Sequence, residues 1–144
     1  MTTSRKKWGF DSNVIIYALG KDFKFSKRTR ELFLNLRRNE EILFITHQNI
    51  LEIERVLTKV FGLDKDLVIQ KLTSFLDSFN FTIISPLVTT IHKYHKFFRE
   101  KEGMKIFDIY LAATYIDNGI HRMYTANEKD FRGISGFKAV NPYK

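Results

Sequence analysis

Residues 8–19, WGFDSNVIIYAL, join a short apolar segment to a longer one through three small polar residues. The first segment, Trp8-Gly9-Phe10, is typical of a buried strand, and residues 14–19 are typical of a helix. Asp11, Ser12 and Asn13 are residue types preferred where a helix begins. Asp11 is therefore predicted at the carboxyl end of a strand, the edge at which open α/β sheets bind ligands. Capping the helix would explain this residue alone, so a catalytic role needs further carboxylates beside it.

The composition indicates one globular domain over residues 1–144. Its first seven residues, 1–7, are predicted to be a flexible basic tail. Hydrophobic residues make up 44% of the 144 residues, and 14 are Phe, which excludes a disordered chain. The formal charge of +8 suggests a polyanionic partner, although a basic protein without such a partner fits the charge equally. The absence of cysteine excludes disulfides and a cysteine zinc site, and it suits a cytoplasmic protein. No apolar run predicts a signal peptide or a membrane span.

Strands and helices are predicted to alternate along the chain. Strands are expected at residues 8–10, 41–46, 81–85, 121–125 and 138–141. Helices are expected from the Asp11 region and then at residues 21–38, 48–60, 64–79, 89–102 and 107–118, with a turn or short helix at 126–131. The core stripe of the 48–60 helix is predicted to be Ile50, Ile53, Leu57 and Val60. The alternation predicts an α/β fold in which a mostly parallel sheet of four or five strands carries helices on both faces.

Three further acids fall near the predicted carboxyl edge of this sheet. Glu52 lies in the helix after the second strand, Asp108 opens a late apolar helix, and Asp130 follows the fourth strand. Carboxylates that converge with Asp11 repel one another unless a cation neutralises them. Mg²⁺ and Mn²⁺ prefer such oxygen ligands, and an ion held there activates water and stabilises phosphate charge. A basic chain with an acidic metal pocket is a sensible design for cutting nucleic acid.

Four segments of the chain resemble the PIN domain family, most closely its small single-domain ribonucleases of the VapC toxin type. They are FDSNV at residues 10–14, NILEI with RVL at 49–57, FDI with LAA at 107–113, and TANEKDF at 125–131. No single segment is specific, but the four occur in the family's order over nearly the whole chain. The resemblance implies a three-layer α/β/α fold and a ribonuclease that depends on one or two Mg²⁺ or Mn²⁺ ions.

The resemblance also implies roles for individual residues. Asp11, Glu52 and Asp108 would be the catalytic, metal-binding acids, with Ser12, Asn13 and Thr125 ordering carboxylates or water beside them. The last segment departs from the family pattern, because Asn127 stands where an Asp is common. Asn127 would offer only a neutral oxygen to the metal, and Asp130 is the candidate fourth acid. Family kinship further implies an RNA substrate, a homodimer and a small antitoxin protein as partner.

Several alternatives stay open on the residues alone. The basic helix at residues 21–38 is a candidate RNA contact, and a solvated face is its plainer explanation; the residues singled out are Lys24, Lys27, Arg28 and Arg30. His92 and His95 are spaced to share a metal but have no acidic neighbour. An aspartyl-phosphate phosphatase would need a second Asp at the place of Asn13. The competing non-enzymatic hypothesis is a degenerate PIN module that binds RNA or protein without cutting, and Asn127 is its support.

Overall fold

The computed structural model describes residues 5–20 and 23–144, and in this part of the chain five parallel strands form one central sheet. The strands are β1 Lys7–Phe10, β2 Ile42–Thr46, β3 Thr82–Ile84, β4 Arg122–Tyr124 and β5 Lys138–Val140. Their order across the sheet is β3-β2-β1-β4-β5, so β1 lies in the centre. The register pairs Trp8 with Leu43 on one side and Phe10 with Tyr124 on the other.

Within the described residues, six α-helices cover the two faces of the sheet. They are α1 Ser12–Leu19, α2 Ser26–Arg38, α3 His47–Arg55, α4 Lys65–Ser78, α5 Thr90–Glu100 and α6 Ile106–Asp117. One apolar core joins the first four helices to the sheet and includes Phe10, Ile15 and Phe33. A second core lies under α5 and α6 and includes Ile109 and Tyr115. The predicted three-layer α/β/α fold with a parallel sheet is therefore confirmed.

Several element boundaries differ from the prediction. The 21–38 helix begins only at Ser26; Lys21 and Asp22 lie outside the described residues, and the rings of Phe23 and Phe25 pack against Tyr17 instead of starting the helix. The predicted tail at residues 1–7 lies outside the described residues at 1–4. Lys7 already belongs to β1, because the strand pairs with β2 from this residue onward.

The core stripe predicted for the 48–60 helix is wrong at its last residue, because the Val60 side chain is 65% exposed. Residues Val56–Val60 form a single π-helical turn that continues α3. A π turn spaces its hydrogen bonds by five residues, so it shifts the residues that follow around the helix axis. Leu57 stays buried while Val60 turns to solvent. Leu67 on α4 is exposed as well.

Among the described residues, no helix combines the length and apolar character needed to cross a bilayer.

Candidate metal centre

Asp11 lies where β1 ends and α1 begins, at the carboxyl edge of the central strand. Its Oδ1 accepts the backbone N–H of Ser12 over 2.9 Å and so caps α1. Its Oδ2 accepts a hydrogen bond from Thr125 Oγ1 over 2.8 Å. Asn13 Oδ1 accepts the backbone N–H of Ala126 over 3.3 Å. Residues after β1 and β4 are thus tied together, and the Asp11 carboxylate is oriented from both sides.

A buried polar network behind Asp11 joins β1, α3 and α6. Asn49 Nδ2 donates to Ser12 Oγ over 3.0 Å, and Asn49 Oδ1 accepts from Thr46 Oγ1 over 2.7 Å. The Tyr115 hydroxyl lies 3.1 Å from Asn49 Oδ1, donates to Phe10 O over 2.7 Å and accepts the Phe10 N–H. Burial raises the pKa of Tyr115, so this phenol keeps its proton and the network its order.

Tyr115 reaches β1 only because residue 9 is glycine. A Cβ atom on Gly9 would lie 2.6 Å from the Tyr115 ring. No pattern in the sequence predicts a role for Gly9 or Tyr115, and Asn49 stands out there only as part of a motif. The signal that identifies Asn49 is its spacing from Thr46, since the two form a reciprocal capping box at the start of α3.

Glu52 and Asp108 approach the centre from opposite layers of the fold. Glu52 projects from α3 and is exposed, as predicted for a residue off the core stripe. Asp108 stands in the first turn of α6 and is partly buried. Gln48 of α3 donates through Nε2 to the Phe107 carbonyl over 3.0 Å, which links the helix carrying Glu52 to the residue before Asp108.

The segment after β4 carries Asn127 and Asp130. Thr125 Oγ1 accepts the Asn127 N–H over 3.0 Å, and Glu128–Phe131 form a short 3₁₀ turn with Asp130 exposed on it. Asn141 Nδ2 donates to Ala126 O and to Glu128, and Lys144 forms an ion pair with Glu128. These partners hold the pKa of Glu128 down at about 2. Glu128 is therefore ionised at neutral pH, and it ties this segment to Asn141 and Lys144.

Asp11, Glu52 and Asp108 have raised pKa values, and neighbouring carboxylate charges contribute to each. Burial raises the pKa of Asp11 to about 6, and the charges of Glu52 and Asp130 add to the effect. Burial also raises the pKa of Asp108 to about 6, with the Asp11 and Asp130 charges adding to it. The pKa of Glu52 is raised by desolvation and by Asp108, against the opposing effect of Arg55. Four carboxylates from four segments of the chain therefore share one electrostatic site.

The donor set suits a hard divalent cation, but it does not form a closed cage. Carboxylate oxygens are the ligands that Mg²⁺ and Mn²⁺ prefer. Over residues 5–20 and 23–144, no three His, Cys, Asp or Glu side chains lie close enough to ligate one ion together. Mg²⁺ usually keeps several waters and takes one or two carboxylates plus substrate phosphates. The arrangement therefore fits a partly hydrated ion better than one enclosed by protein.

A cleft of about 230 Å³ adjoins the acids and is rimmed by cations. Its charged lining consists of three acids, Glu102, Asp108 and Asp130, and of four basic side chains, which are Lys101, Lys105, Lys129 and Arg132. None of these four forms an ion pair within the described part of the chain, where Lys144–Glu128 is the salt bridge found. The Lys101 ammonium lies so close to Gly133 that a Cβ there would meet Nζ at 2.7 Å. No sequence pattern predicts that these four cations form a group.

The basic residues predicted to touch RNA lie elsewhere, around the start of α2. Lys24, Lys27, Arg28 and Arg30 are all exposed, and none lines the cleft beside Asp108. Arg28 donates to Tyr143 O over 3.3 Å and Arg30 to Gly20 O over 3.4 Å. Two of these cations therefore hydrogen-bond to backbone carbonyls outside α2. An RNA contact at this surface stays a prediction. His92 and His95 are exposed on α5 and have no acidic ligand partner among the described residues.

Comparison with known proteins gives one family match. The family model of the PIN domain matches residues 10–136. No curated protein matches the chain by sequence.

Several solved structures share the fold. A chain of VapBC2 from Rickettsia felis, solved with a DNA fragment from their promoter, is similar with a TM-score of 0.72, 20% identity and coverage of 94% of this chain and 98% of that one. A toxin–antitoxin complex from Klebsiella pneumoniae gives a TM-score of 0.66 at 21% identity, covering 94% and 98%. VapC20 of Mycobacterium tuberculosis, a toxin that cleaves the sarcin–ricin loop, gives 0.68 at 9% identity, covering 91% and 98%. At these identities the likeness concerns the fold.

Proposed function

This chain belongs to the PIN domain family, and we propose that it is a metal-dependent endoribonuclease, the toxin of a toxin–antitoxin pair. The observation that carries the proposal is the group of four mutually repelling carboxylates, Asp11, Glu52, Asp108 and Asp130. Carboxylates that repel one another destabilise a fold when nothing neutralises them. They are explained when a cation that the protein binds for its chemistry removes the repulsion.

Each residue has a separate task in this proposal. Asp11 and Asp108 would hold a Mg²⁺ or Mn²⁺ ion, which would supply an activated water and stabilise charge on the scissile phosphate. Glu52 and Asp130 would accept hydrogen bonds from water at the site, and they would take up the proton of the attacking water. Thr125 and the Ser12 N–H orient Asp11 for this role. Asn127 brings no charge, and one ion is therefore the simpler occupancy; a second ion stays a prediction.

An RNA substrate is supported by the cations around the cleft. Lys101, Lys105, Lys129 and Arg132 line the same concavity as Asp108 and Asp130 without being neutralised by them. Phosphate groups are the ligands that such an array attracts, and the acids alone would repel them. RNA is thus held by the rim and cut at the acidic floor.

A partner protein and a second copy of the chain are further parts of the proposal. The similar structures from Rickettsia felis and Klebsiella pneumoniae are of toxin–antitoxin complexes, which supports a small antitoxin for this chain. A homodimer and a cytoplasmic location stay predictions from the sequence, the second on the absence of cysteine.

The test is cleavage of a mixed, end-labelled RNA pool by the purified chain with Mg²⁺, Mn²⁺ or EDTA. Asp11→Asn and Asp108→Asn are expected to lower cleavage by more than roughly 100-fold, beyond the usual effect of losing an outer-shell partner of a metal. Asp66→Asn, on the exposed surface of α4, is the matched control and should cut like the parent.

Calorimetry with Mg²⁺ and Mn²⁺ separates the remaining outcomes. The proposal is supported if the parent chain binds a divalent ion and cleaves RNA, and if Asp108→Asn abolishes both. RNA that is bound but never cut, with no divalent ion taken up, would overturn it in favour of a degenerate PIN module.

A further inference from the structure

Phe107 is the most exposed of the chain's phenylalanines, although it directly precedes Asp108. Its side chain is 72% exposed, whereas Phe61 and Phe98, the other exposed ones, reach 48%. Its ring stacks on no other aromatic ring among the described residues, while most of the other Phe side chains belong to aromatic clusters. Its backbone is nevertheless fixed, because Gln48 Nε2 donates to its carbonyl over 3.0 Å. A large apolar ring is thus held in solvent at the edge of the acidic site.

The ring forms one wall of a cleft that also contains a proposed catalytic acid. The cleft has a volume of about 320 Å³ and is lined by Gln48, Leu51, Glu52, Arg55 and Phe107. Leu51 is itself 67% exposed and supplies a second apolar surface. Apolar walls with a few polar groups are typical of sites for small planar ligands.

The polar groups of this cleft suit a nucleotide. Arg55 makes no ion pair within the described part of the chain, so its guanidinium is available to a phosphate. The buried Gln48 Oε1 has no hydrogen-bond partner among the described residues.

We propose that Phe107 is a stacking platform for an unpaired RNA base next to the scissile phosphate. This inference rests on the proposed nuclease function and adds how a single strand is gripped. Cationic grooves with an exposed aromatic ring are how proteins hold single strands, since every base has a face that stacks. A nucleotide whose phosphate reaches Glu52 and Asp108 has its base within reach of the neighbouring ring. Phe107 is therefore a positioning residue for the substrate.

The test is binding of short labelled oligoribonucleotides to the full chain carrying Asp11→Asn, so that cleavage does not interfere. Two probes are compared by fluorescence anisotropy, a 12-nucleotide mixed-sequence RNA and an abasic ribose-phosphate strand of equal length. Phe107→Ala is expected to weaken binding of the base-containing strand by about 5- to 100-fold, the range for loss of one aromatic stack. Binding of the abasic strand should not change.

Matched variants separate stacking from simple apolarity. Phe107→Trp should retain affinity, and Phe107→Leu should lose most of it despite its similar hydrophobicity. Phe98→Ala, an equally simple truncation of an exposed ring on α5, should bind both strands like the parent. The tryptophan fluorescence of the Phe107→Trp variant should also be quenched by the base-containing strand and not by the abasic strand. The fluorescence of the buried Trp8 in the parent chain is the reference.

Three results would overturn the inference. Equal losses on both strands, no loss on either, or no RNA binding by the parent would each remove the stacking role. If Phe107→Ala instead changes the sedimentation of the protein and leaves RNA binding intact, this face joins two copies of the chain. Cleavage by the unaltered chain is measured separately. If the Phe107 variants bind RNA like the parent and cleavage is normal, only this inference is refuted. Absent cleavage with a positive series refutes only the nuclease proposal.

Discussion

Asn49 Nδ2 lies 3.0 Å from Ser12 Oγ and donates a hydrogen bond to it in the interior of the protein. Both side chains are almost fully buried. The bond fixes the first turn of α1, and with it the Ser12 backbone N–H that donates to Asp11 Oδ1. A residue with no place in the metal-binding set therefore determines where the first acid points.

Asn49→Ala is expected to lower the free energy of unfolding by about 2–3 kcal/mol, because Ser12 and the Thr46 N–H lose buried partners. Asn35→Ala, on the exposed surface of α2, should stay within about 0.5 kcal/mol of the parent. Urea unfolding followed by circular dichroism measures both. Equal stability of the two variants would contradict the buried network.

Thr125→Val should weaken Mg²⁺ binding roughly 10- to 100-fold, the usual effect of removing an outer-shell partner. The Thr125 hydroxyl holds the pKa of Asp11 down, so its loss raises a value that is already about 6. The acid limb of the pH profile of kcat/KM should then move to higher pH. Thr125→Ser keeps the hydroxyl and should restore both properties; an unshifted limb in Thr125→Val would count against this role.

The metal-free protein should become less stable as the pH rises from about 4 to 6. Asp11 and Asp108 have pKa values of about 6 in the folded chain against an ordinary 3.8, so the folded state binds protons more tightly. The contribution of these two carboxyls to the free energy of unfolding is then largest below pH 4. It is lost as each carboxyl ionises in the folded chain.

Asp108→Asn should therefore stabilise the metal-free chain at pH 7 by about 1 kcal/mol, after allowance for solvent screening at a partly buried site. The variant should gain little at pH 4. Mg²⁺ should raise the thermal midpoint of the parent and not that of the variant. Thermal unfolding in EDTA and in Mg²⁺ gives all four comparisons, and destabilisation of the variant at pH 7 would contradict the shared electrostatic site.

Gly9→Ala should destabilise the fold by about 2–3 kcal/mol, because its Cβ would overlap the Tyr115 ring. The loss is specific to that ring. In a double-mutant cycle with Tyr115→Ala, the Gly9 substitution should cost much less, so the two effects should not add. Additive losses in urea unfolding would mean that Gly9 acts through something other than Tyr115.

The sequence predicts the fold well because each of its signals is local. The polar group at residues 11–13 between two apolar runs indicates β1 and α1, and both occur where expected. Thr46 and Asn49 lie three residues apart and form the cap that such spacing favours. Val60 escapes prediction, because a π turn alters the helical period without any glycine or proline to announce it.

The site is less predictable, since its contacts join distant parts of the chain. Tyr115 contacts Phe10 and Asn49 across two layers, and no periodicity within α6 marks it out from its apolar neighbours. The cations at Lys101, Lys105 and Arg132 are ordinary surface residues in the sequence. They become a group only when α6 and the segment after β4 pack together.

The strand order has a consequence for how the protein is made. β1 is synthesised early, but its neighbour β4 and the acids Asp108 and Asp130 come from the last third of the chain. A ribosome-bound chain that has emerged only as far as β3 has Asp11 but no Thr125 to orient it. On the proposed function, RNA cleavage would thus be withheld from the nascent polypeptide, and the ribosome would finish translating this chain before the acids come together.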